Sequence, residues 1–397
     1  MVDAGNESTF DRPLRLGMVG GGRGAFIGGV HRLCARMDGH YDLIAGALSS
    51  DPRRAKESGA DLGLAPDRVY TSFADMATAE AHRAGSDGIE VVSIVTPNDS
   101  HHAIARAFLD RGIDVICDKP MTTTVEDALD LVQTVRRTGL IFGVTHNYTG
   151  YPMVRQAREM IAAGELGTIR VVQVEYVQDW LTTKLEDTGQ KQAAWRVDPA
   201  RAGAGGCLGD IGTHAYNLAG FVTGLEVREL AADLSRFVPG RRLDDNVHML
   251  LRFENDARGM LWGSQVAPGN ENGLRLRVYG QKGGLEWSQE HPNQLRFSPV
   301  GQPPRVLSRG GPNLGDAAAR ATRIPSGHPE GYLEAFANLY RDLAEQIRAR
   351  RAKRAPDPAA LLVPSVEDGA RGVKFIHAAV ESSGKNGAWV DMQLKLR

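Results

Sequence analysis

The sequence has few cysteines and almost no net charge, and both shortages exclude classes of protein. Its 397 residues include three cysteines, Cys34, Cys117 and Cys207, which are odd in number and widely spaced. They fit neither a disulfide framework nor a paired zinc motif, so we expect a protein of the reducing cytoplasm. The 47 basic and 48 acidic residues give a formal net charge of −1. That balance gives no electrostatic reason to expect nucleic acid or an anionic membrane as a partner.

Long hydrophobic runs are also missing. No apolar run reaches the ~20 residues that span a bilayer. Residues 1–13 are polar and acidic and lack the basic and apolar regions of a signal peptide. Hydrophobic residues make up 42% of the chain and charged residues 24%, as in ordinary globular proteins. At this length, two domains are expected.

Residues 1–145 alternate between predicted strands and helices. A mostly apolar run at 14–19 leads into a glycine-rich turn at 20–24, and a helix is predicted to follow at about 26–37. Further strands are predicted at 42–48, 89–96, 114–117 and 140–144, with a short segment at 69–73 and helices at 101–111 and 124–137. This alternation predicts one doubly wound α/β domain with a parallel sheet.

The glycine turn has the pattern of a dinucleotide-binding unit, in which backbone amides and a helix N-terminus face a pyrophosphate. Gly20 and Gly22 match the first two glycines of G-x-G-x-x-G, and the third is either Ala25 or Gly28. A glycine-rich connection without function is the alternative.

The residues after the second predicted strand bear on the choice of cofactor. Ser49 stands where an NAD enzyme often carries an acid for the ribose, ~20 residues past the glycines. Arg53 or Arg54 could meet a 2′-phosphate, whereas Asp51 could reach the ribose or cap the next helix. The sequence therefore predicts NAD or NADP.

Residues 146–397 have a different pattern and form the second predicted domain. Strands are predicted at 169–176, 228–236, 246–253, 259–266, 273–279 and 284–287, and several alternate as an antiparallel sheet with one wet face would. Helices are expected at 152–163, 329–347 and 365–382, with a basic linker at 348–354 and a last strand near Trp389. We predict a loop at 178–198 and a long excursion rich in Pro, Gly, Arg and Ser at 292–327. The helix at 365–382 could pack back toward the first domain.

The stretch from Gly205 to His214 is the strongest candidate for chemistry. If a helix from 210 to about 221 begins here, Asp210 and His214 share one face because they stand four residues apart. Histidine is well suited to move a proton at neutral pH. The alternative is an Asp N-cap followed by a first-turn histidine. Lys119 follows a predicted strand, at the sheet edge where such folds bind ligands; a solvated lysine is its alternative.

Four motifs together resemble the Gfo/Idh/MocA oxidoreductases, and a tail at 367–390 extends the match along the chain. The motifs are Gly20–Gly24 leading to His31, Thr96-Pro97-Asn98 with His101, Asp118-Lys119-Pro120, and Gly205–His214. The resemblance implies an N-terminal Rossmann domain followed by an α/β domain with a large open antiparallel sheet. It also implies hydride transfer between a nicotinamide and a hydroxyl carbon of a sugar, sugar derivative or cyclitol.

The resemblance assigns the catalytic roles to Lys119, Asp210 and His214. His214 is the expected general base, Lys119 stabilises the reacting oxygen or relays a proton, and Asp210 holds the substrate hydroxyl or His214 itself. Asp118 replaces the Glu of the family's E-K-P motif, and Asn217 stands where many members have Asp. The glycine turn also carries about three extra residues relative to the family's G-x-G-x-I-G. Pro120 is expected to fix its loop, for which a cis bond is one option.

The remaining predicted contacts are grouped by ligand. The predicted cofactor-binding residues are Gly20, Gly22, Arg23, Phe26, Ile27, Ser49, Ser50, Arg54, Thr96, Pro97, Asn98, His101, Asp118, Lys119 and Asn147. The predicted substrate-binding residues are Lys119, Tyr148, Trp180, Trp195, Arg196, Asp210, His214 and His328. Core or interface packing is the alternative for the aromatic residues of the second group.

Two functional classes remain open at this point. The first is an NAD(P)-dependent sugar or cyclitol dehydrogenase, and the second is a catalytically silent NAD(P)-binding sensor of the same fold. The presence of Lys119, Asp210 and His214 together favours the enzyme. No metal is expected because the histidines lack a shared ligand spacing. A homodimer or homotetramer is expected because an open antiparallel sheet leaves a face to be covered.

Overall fold

The computed structural model describes residues 12–395, and its first sheet has five parallel strands in the order β2-β1-β3-β4-β5. These strands are β1 Leu14–Gly20, β2 Tyr41–Ala47, β3 Val91–Val95, β4 Asp114–Cys117 and β5 Phe142–Val144. The helices that flank them are α1 Phe26–Met37, α2 Pro52–Asp61, α3 Phe73–His82, α4 His101–Leu109 and α5 Val125–Thr138. All of β3 and β4 is buried, as expected of strands covered on both faces by helices. The predicted Rossmann-like α/β sheet is confirmed.

Local signals fix where these helices begin and end. The side chains of Asp51, Ser72 and Thr124 accept hydrogen bonds from backbone amides in the first turns of α2, α3 and α5. Gly139 ends α5 in the left-handed conformation. The segment predicted at 69–73 contributes only a single bridge, between Val69 and Gly46, because Phe73 already begins α3.

The second sheet has nine strands in the order β13-β12-β11-β10-β6-β9-β8-β7-β14. Its first five strands in chain order are β6 Ile169–Val177, β7 Val227–Ser235, β8 Asn246–Phe253, β9 Arg258–Ser264 and β10 Gly273–Gly280. The other four are β11 Gly283–Ser288, β12 Gln294–Pro299, β13 Arg305–Ser308 and β14 Val390–Asp391. Every neighbouring pair is antiparallel except β6 and β9. The predicted mainly antiparallel sheet is confirmed.

One face of this sheet covers a core and the other is open. Residues Val172, Val174 and Tyr176 of β6 are buried, whereas the alternate residues face outward. The helices α6 Pro152–Ala162 and α9 Thr213–Thr223 belong to the same core. On the open face, Leu250 of β8 lies opposite Met260 of β9, and these side chains are 56% and 39% exposed.

The structure corrects several predicted boundaries in the second half. The excursion predicted at 292–327 contains β12, β13 and the helix α10 Asp316–Ala321, because alternating Leu295 and Phe297 extend the sheet. The loop predicted at 178–198 includes the short helix α7 Lys191–Arg196, and α8 Pro199–Ala202 follows. Four of the seven residues of the predicted basic linker are helical, since α11 runs over Tyr332–Arg351.

Two helices from the end of the chain cover the first sheet. Phe336 and Leu343 of α11 share a core with Leu16 of β1. Val366 and Ala370 of α12, Val366–Gly384, pack in the core on the other side of that sheet. Within residues 12–395, no helix is both long and apolar enough to cross a bilayer.

The structure also decides which residue is the third glycine of the turn. A Cβ atom on Gly28, in the first turn of α1, would lie 2.3 Å from the Cα atom of Gly21. Gly21 has φ of +74° and cannot move aside without changing the turn. Gly28 is therefore the position at which helix and turn pack closely, and Ala25 precedes α1 as its N-cap.

We predict that Gly28→Ala lowers the free energy of unfolding by about 1–3 kcal/mol, the usual cost of overpacking. Gly29→Ala is the matched control on the same helix, because its Cβ would come no closer than 4.0 Å to Arg32. Alanine there should leave stability unchanged or raise it by up to about 1 kcal/mol. Urea unfolding measures both variants, and equal midpoints would contradict the close packing.

Candidate active site

A cleft with a volume of 1040 Å³ lies between the part of the chain that forms the five-stranded sheet and the part that forms the nine-stranded sheet. Its walls include the residues that directly follow β1, β2, β3, β4 and β5, so it occupies the carboxyl edge of the parallel sheet. Ligands of open α/β sheets bind at this edge. Residues from α7, α9 and α11 close the cleft from the second half of the chain.

The glycine turn forms one end of this cleft. The amide of Gly22 donates to the Leu48 carbonyl at 3.0 Å, and a Cβ on Gly22 would lie 2.6 Å from that oxygen. The backbone therefore needs glycine at this position to follow the sheet edge so closely. Arg23 lines the cleft but pairs with Glu57 and Asp61, both at 2.5 Å. The turn and the N-terminus of α1, with Phe26 and Ile27, suit a pyrophosphate.

The residues after β2 divide into those that face the cleft and those that do not. Ser49, Ser50 and Arg54 line it. Asp51 instead caps α2, and its Oδ1 accepts from the Arg54 amide at 2.7 Å. Arg53 is turned to solvent and pairs with Glu57 at 2.9 Å. Of the two arginines proposed for a 2′-phosphate, Arg54 is thus the one within the cleft.

The motif after β3 is only partly exposed to the cleft. Thr96, Pro97 and Asn98 line it, as predicted. His101 is fully buried, and its two ring nitrogens lie 2.8 Å from the Thr96 carbonyl oxygen and 3.0 Å from that of Pro120. His101 is not among the residues that line the cleft; its ring lies between the two loops that carry Thr96 and Pro120. The peptide bond between Lys119 and Pro120 is cis.

The centre of the cleft is built around the carboxylate of Asp210. Lys119 Nζ lies 3.0 Å from Asp210 Oδ1. Asp210 Oδ2 accepts a hydrogen bond from Gln265 Nε2 at 2.9 Å and lies 3.1 Å from Arg196 Nε. Burial disfavours the charged form of this side chain, but Arg196 and Lys119 outweigh burial and hold the Asp210 pKa well below its usual range. Asp210 is therefore a carboxylate at any pH at which the protein works.

A neighbouring carboxylate fixes the backbone that carries Asp210. Residues 208–212 form a π-helical turn, and α9 begins only at Thr213, so the predicted start of an α-helix at Asp210 is corrected. Asp244 accepts hydrogen bonds from the amides of Gly206 and Leu208, both at 2.7 Å. Burial raises the pKa of Asp244 to about 6. π-turns of this kind are frequent at functional sites.

His214 lies in the first turn of α9 and is 8% exposed. Its ring meets those of His146 and Tyr148 edge-on, at centroid distances of 5.3 and 4.9 Å. Burial, followed by the positive charge of Lys119, lowers the pKa of His214 well below its usual value, and the same causes lower that of His146 to about 3. The His214 imidazole is therefore neutral and able to accept a proton. Its Nδ1 has no hydrogen-bond partner among residues 12–395, and the Asp210 carboxylate accepts from Lys119 and Gln265 instead of from this ring.

The residues predicted to bind the substrate lie in three different places. Tyr148, Trp195 and Arg196 line the cleft, and the Arg196 guanidinium lies 4.4 Å from the centre of the Trp195 ring. Trp180 lies behind the wall, where its indole donates to Gln178 at 3.1 Å. His328 is exposed and is not among the residues that line the cleft; its backbone carbonyl accepts a hydrogen bond from the buried Arg309, and its amide donates to the Pro325 carbonyl.

Several residues in and around the cleft were not predicted from the sequence. Gln178 follows β6 and Tyr332 begins α11, and both line the cleft; Gln265 follows β9 and contacts the cleft residue Asp210. They come from chain segments far from the motifs, and neither their spacing nor their type distinguishes them. Asn147, which was predicted, lines the cleft with a buried Nδ2 that has no partner among the described residues. Within residues 12–395, no group of three or more His, Cys, Asp and Glu side chains could hold a metal ion.

Two sequence models of one family match the chain. The model described as "Oxidoreductase family, NAD-binding Rossmann fold" matches residues 14–146, and that of the GFO/IDH/MocA C-terminal domain matches residues 154–286. Their order is that of the two sheets. The glycine turn and the helix N-terminus that line the cleft fit the cofactor that the first description names.

Known proteins resemble the whole chain. An oxidoreductase from Sinorhizobium meliloti is 55% identical, with a TM-score of 0.87 over 96% of this chain and 100% of that one. An inositol dehydrogenase homologue from Azotobacter vinelandii, solved with NADH and myo-inositol, is 39% identical, with a TM-score of 0.88 over 96% and 98%. Levoglucosan dehydrogenase from Pseudarthrobacter phenanthrenivorans is 28% identical over 72% of this chain and 76% of its own. The chain therefore belongs to the Gfo/Idh/MocA family of oxidoreductases and has that family's NAD-binding Rossmann domain.

Proposed function

We propose that this protein oxidises a secondary hydroxyl of a cyclitol or sugar, or catalyses the reverse reduction, with NAD or NADP. The observation that carries the proposal is the convergence of Lys119, Asp210 and His214 in one cleft with the glycine turn. A sensor without activity would not need a charged lysine, a paired carboxylate and a neutral buried imidazole in one place. The relatives that bind myo-inositol and levoglucosan support a polyol as substrate.

His214 takes the hydroxyl proton in this proposal. Its imidazole Nδ1 has no hydrogen-bond partner among residues 12–395, whereas Lys119, Arg196 and Gln265 occupy both oxygens of Asp210, so His214 is the group placed to accept the proton. Lys119 carries the positive charge that stabilises the reacting oxygen as its proton leaves. Burial and that same charge lower the pKa of His214, so the imidazole readily returns the proton when the reaction runs in reverse.

Asp210 positions Lys119 rather than acting on the proton. Its Oδ1 holds Nζ at 3.0 Å, while Gln265 and Arg196 fix the other carboxylate oxygen. A lysine held in this way meets the substrate oxygen without first losing rotamer freedom. Asp118 supports the same loop, since its Oδ1 accepts from the Lys119 amide at 3.0 Å and from Thr145 Oγ1 at 2.8 Å.

The cofactor site extends from the glycine turn to Asn147. Residues 20–27 would hold the pyrophosphate, Ser49, Ser50 and Arg54 the adenosine ribose, and residues 96–98 and Asn147 the nicotinamide half. The nicotinamide supplies the hydride acceptor of the reaction. The side chains of this chain bind and orient the two reactants, exclude water from the cleft and move the proton.

A second copy of the chain would cover the open face of the nine-stranded sheet. Large apolar side chains are exposed there, including Leu250, Met260 and Tyr279, and the rings of His248 and Trp262 stack on neighbouring strands with centroids 6.0 Å apart. An apolar area of this kind on a sheet marks an interface. The proposal is a homodimer or a homotetramer built on this face.

Light scattering at micromolar concentration should give at least twice the monomer mass of 42.9 kDa. Leu250→Glu should weaken the assembly, since the assembly would then bury a charge in this face. Leu361→Glu is the control, because Leu361 is similarly exposed, at 58%, on another surface. A wild-type protein that is only monomeric would contradict the proposal.

His214→Ala should lower kcat by roughly 10²–10⁴-fold, the usual contribution of general acid–base catalysis. Lys119→Ala should have a similar effect, because the charge acts mainly as the transition state forms. Asp210→Asn should reduce kcat less than Lys119→Ala, and the double variant Lys119→Ala/Asp210→Asn should be much less than additive because Asp210 acts through Lys119. His291→Ala, at an exposed histidine, is the matched control.

The measurement is steady-state nicotinamide absorbance with inositols and sugars, and NADH affinity is followed by fluorescence. NADH affinity should change little in the His214 and Asp210 variants, because neither residue lies in the Rossmann sheet. A folded His214→Ala protein with near-normal kcat on a true substrate would disprove the proposed mechanism.

NADP+ should support kcat/KM at least comparable to that with NAD+. The cleft residues that follow β2 are Ser49, Ser50 and Arg54, and none of them carries a negative charge that would repel a 2′-phosphate. The acidic residue of this segment, Asp51, caps α2 instead. Arg54→Ala should lower kcat/KM for NADP+ by about tenfold or more, the value of a charge-assisted hydrogen bond, and leave that for NAD+ nearly unchanged. Arg53→Ala is the neighbouring control, since Arg53 pairs with Glu57 outside the cleft. A strong preference for NAD+ would overturn this expectation.

A further inference from the structure

A chain of hydrogen bonds runs from Trp180 to Tyr148 within the cleft wall. Trp180 Nε1 donates to Gln178 Oε1 at 3.1 Å, and Gln178 Nε2 donates to Asn272 Oδ1 at 2.8 Å. The Tyr176 hydroxyl also reaches Asn272 Oδ1 at 2.8 Å, and the Tyr148 hydroxyl lies 2.5 Å from that of Tyr176. The five residues come from three separate segments of the chain, and none of them is part of the proposed proton transfer.

The direction of every bond in this chain follows from its first member. An indole N–H is only a donor, so the Gln178 atom that faces Trp180 is the carbonyl oxygen. The other end of that amide is the NH₂ group, and the Asn272 atom that it faces is therefore an oxygen. Tyr176 must donate to this oxygen because an amide oxygen cannot donate. The Tyr176 proton is then committed, so Tyr148 must donate to Tyr176.

Burial keeps both phenols protonated, which this series of hydrogen bonds requires. Tyr148 and Tyr176 are each 4% exposed. Burial raises the pKa of Tyr148 against the opposing effects of Tyr176 and Asn272, and raises that of Tyr176 well above its usual value. With its proton directed to Tyr176, the Tyr148 oxygen can offer the cleft only a lone pair.

We propose that Tyr148 accepts a hydrogen bond from a substrate hydroxyl adjacent to the one that is oxidised, and that Trp180, Gln178, Asn272 and Tyr176 are positioning residues that hold Tyr148 as an acceptor. Tyr148 is near the reacting carbon because its ring packs 4.9 Å from that of His214. The site then selects polyols with a hydroxyl donor beside the reacting carbon. It rejects compounds with an ether, a carbonyl or fluorine there, whose lone pairs would face that of Tyr148.

The first test needs no substrate and is independent of the proposed function on which this inference rests. Neutron diffraction from crystals exchanged into D₂O locates the deuterium of each hydroxyl. We expect the deuterium of Tyr176 on the line to Asn272 Oδ1 and that of Tyr148 on the line to Tyr176. A Tyr176 deuterium directed at Tyr148 would overturn the inference even if the protein proved to be a dehydrogenase.

The second test measures discrimination between a donor and an acceptor in the substrate. The probes are the polyol with the highest kcat/KM in an inositol and sugar panel and its analogues with fluorine in place of either neighbouring hydroxyl. The wild-type protein should disfavour at least one analogue by about tenfold or more in kcat/KM, because the Tyr148 lone pair is then unmatched. A wild-type ratio near one for both analogues would contradict the inference.

Tyr176→Phe separates the positioning role from a merely structural one. Without the acceptor on Tyr176, the Tyr148 proton is released and can turn toward fluorine, so the discrimination should shrink at least threefold while the parent polyol is still oxidised. Tyr148→Phe should abolish the discrimination. Tyr279→Phe, at an exposed tyrosine of the sheet, should keep the wild-type ratio. Wild-type discrimination in Tyr176→Phe would overturn the assignment of Tyr176.

Discussion

The carboxylate of Asp210 lies between the two domains and is shared by three side chains. Lys119 reaches one oxygen from the loop after β4, while Arg196 from α7 and Gln265 from the end of β9 meet the other. A largely buried carboxylate without such partners would be strongly destabilising, and so would each buried cation without the carboxylate. These charges are therefore stable only when they are paired with one another. Their pairing holds the two domains and the α7 segment in one arrangement.

That arrangement determines the protonation states around it. Because Asp210 stays ionised, Lys119 has a fixed partner, and burial together with the positive charge of Lys119 lowers the pKa of His214 and keeps its imidazole neutral. A neutral histidine beside a cation suits proton transfer in either direction. The surrounding wall is polar, but some of its groups are already engaged: the Tyr176 hydroxyl donates to Asn272, and Gln178 accepts from the Trp180 indole behind the wall. The cleft thus combines a charged centre with a wall whose hydrogen-bonding direction is fixed by packing.

The sequence predicted the elements that depend on local pattern. The buried runs of the parallel sheet, the alternating strands of the second sheet and the glycine turn are local, so their periodicity and composition suffice. The candidate centre was predictable because Lys119, Asp210 and His214 fall in motifs with a family resemblance. Whether Ala25 or Gly28 is the third glycine position of the motif depends on the distance to Gly21, which residue spacing alone does not reveal.

What the sequence could not predict depends on contacts between distant segments. Gln265 and Arg196 meet Asp210 only because two sheets and a short helix converge, and His101 turns inward to two carbonyls rather than to the cleft. The strands β12 and β13 lie in a stretch whose Pro, Gly and Arg content is typical of a loop, and pairing with β11 overrides that tendency. Trp180 was expected to touch the substrate and instead donates to Gln178 behind the wall.

The most direct test of the central claim follows a single deuterium atom. The protein is mixed in a single turnover with NAD+ or NADP+ and polyols deuterated at each ring carbon in turn, and the nicotinamide is analysed by mass spectrometry. The account predicts that deuterium from one carbon appears on the nicotinamide, and that Lys119→Ala slows the transfer although both ligands still bind. A protein that binds both ligands yet never transfers deuterium would contradict the assignment of this cleft as a dehydrogenase active site.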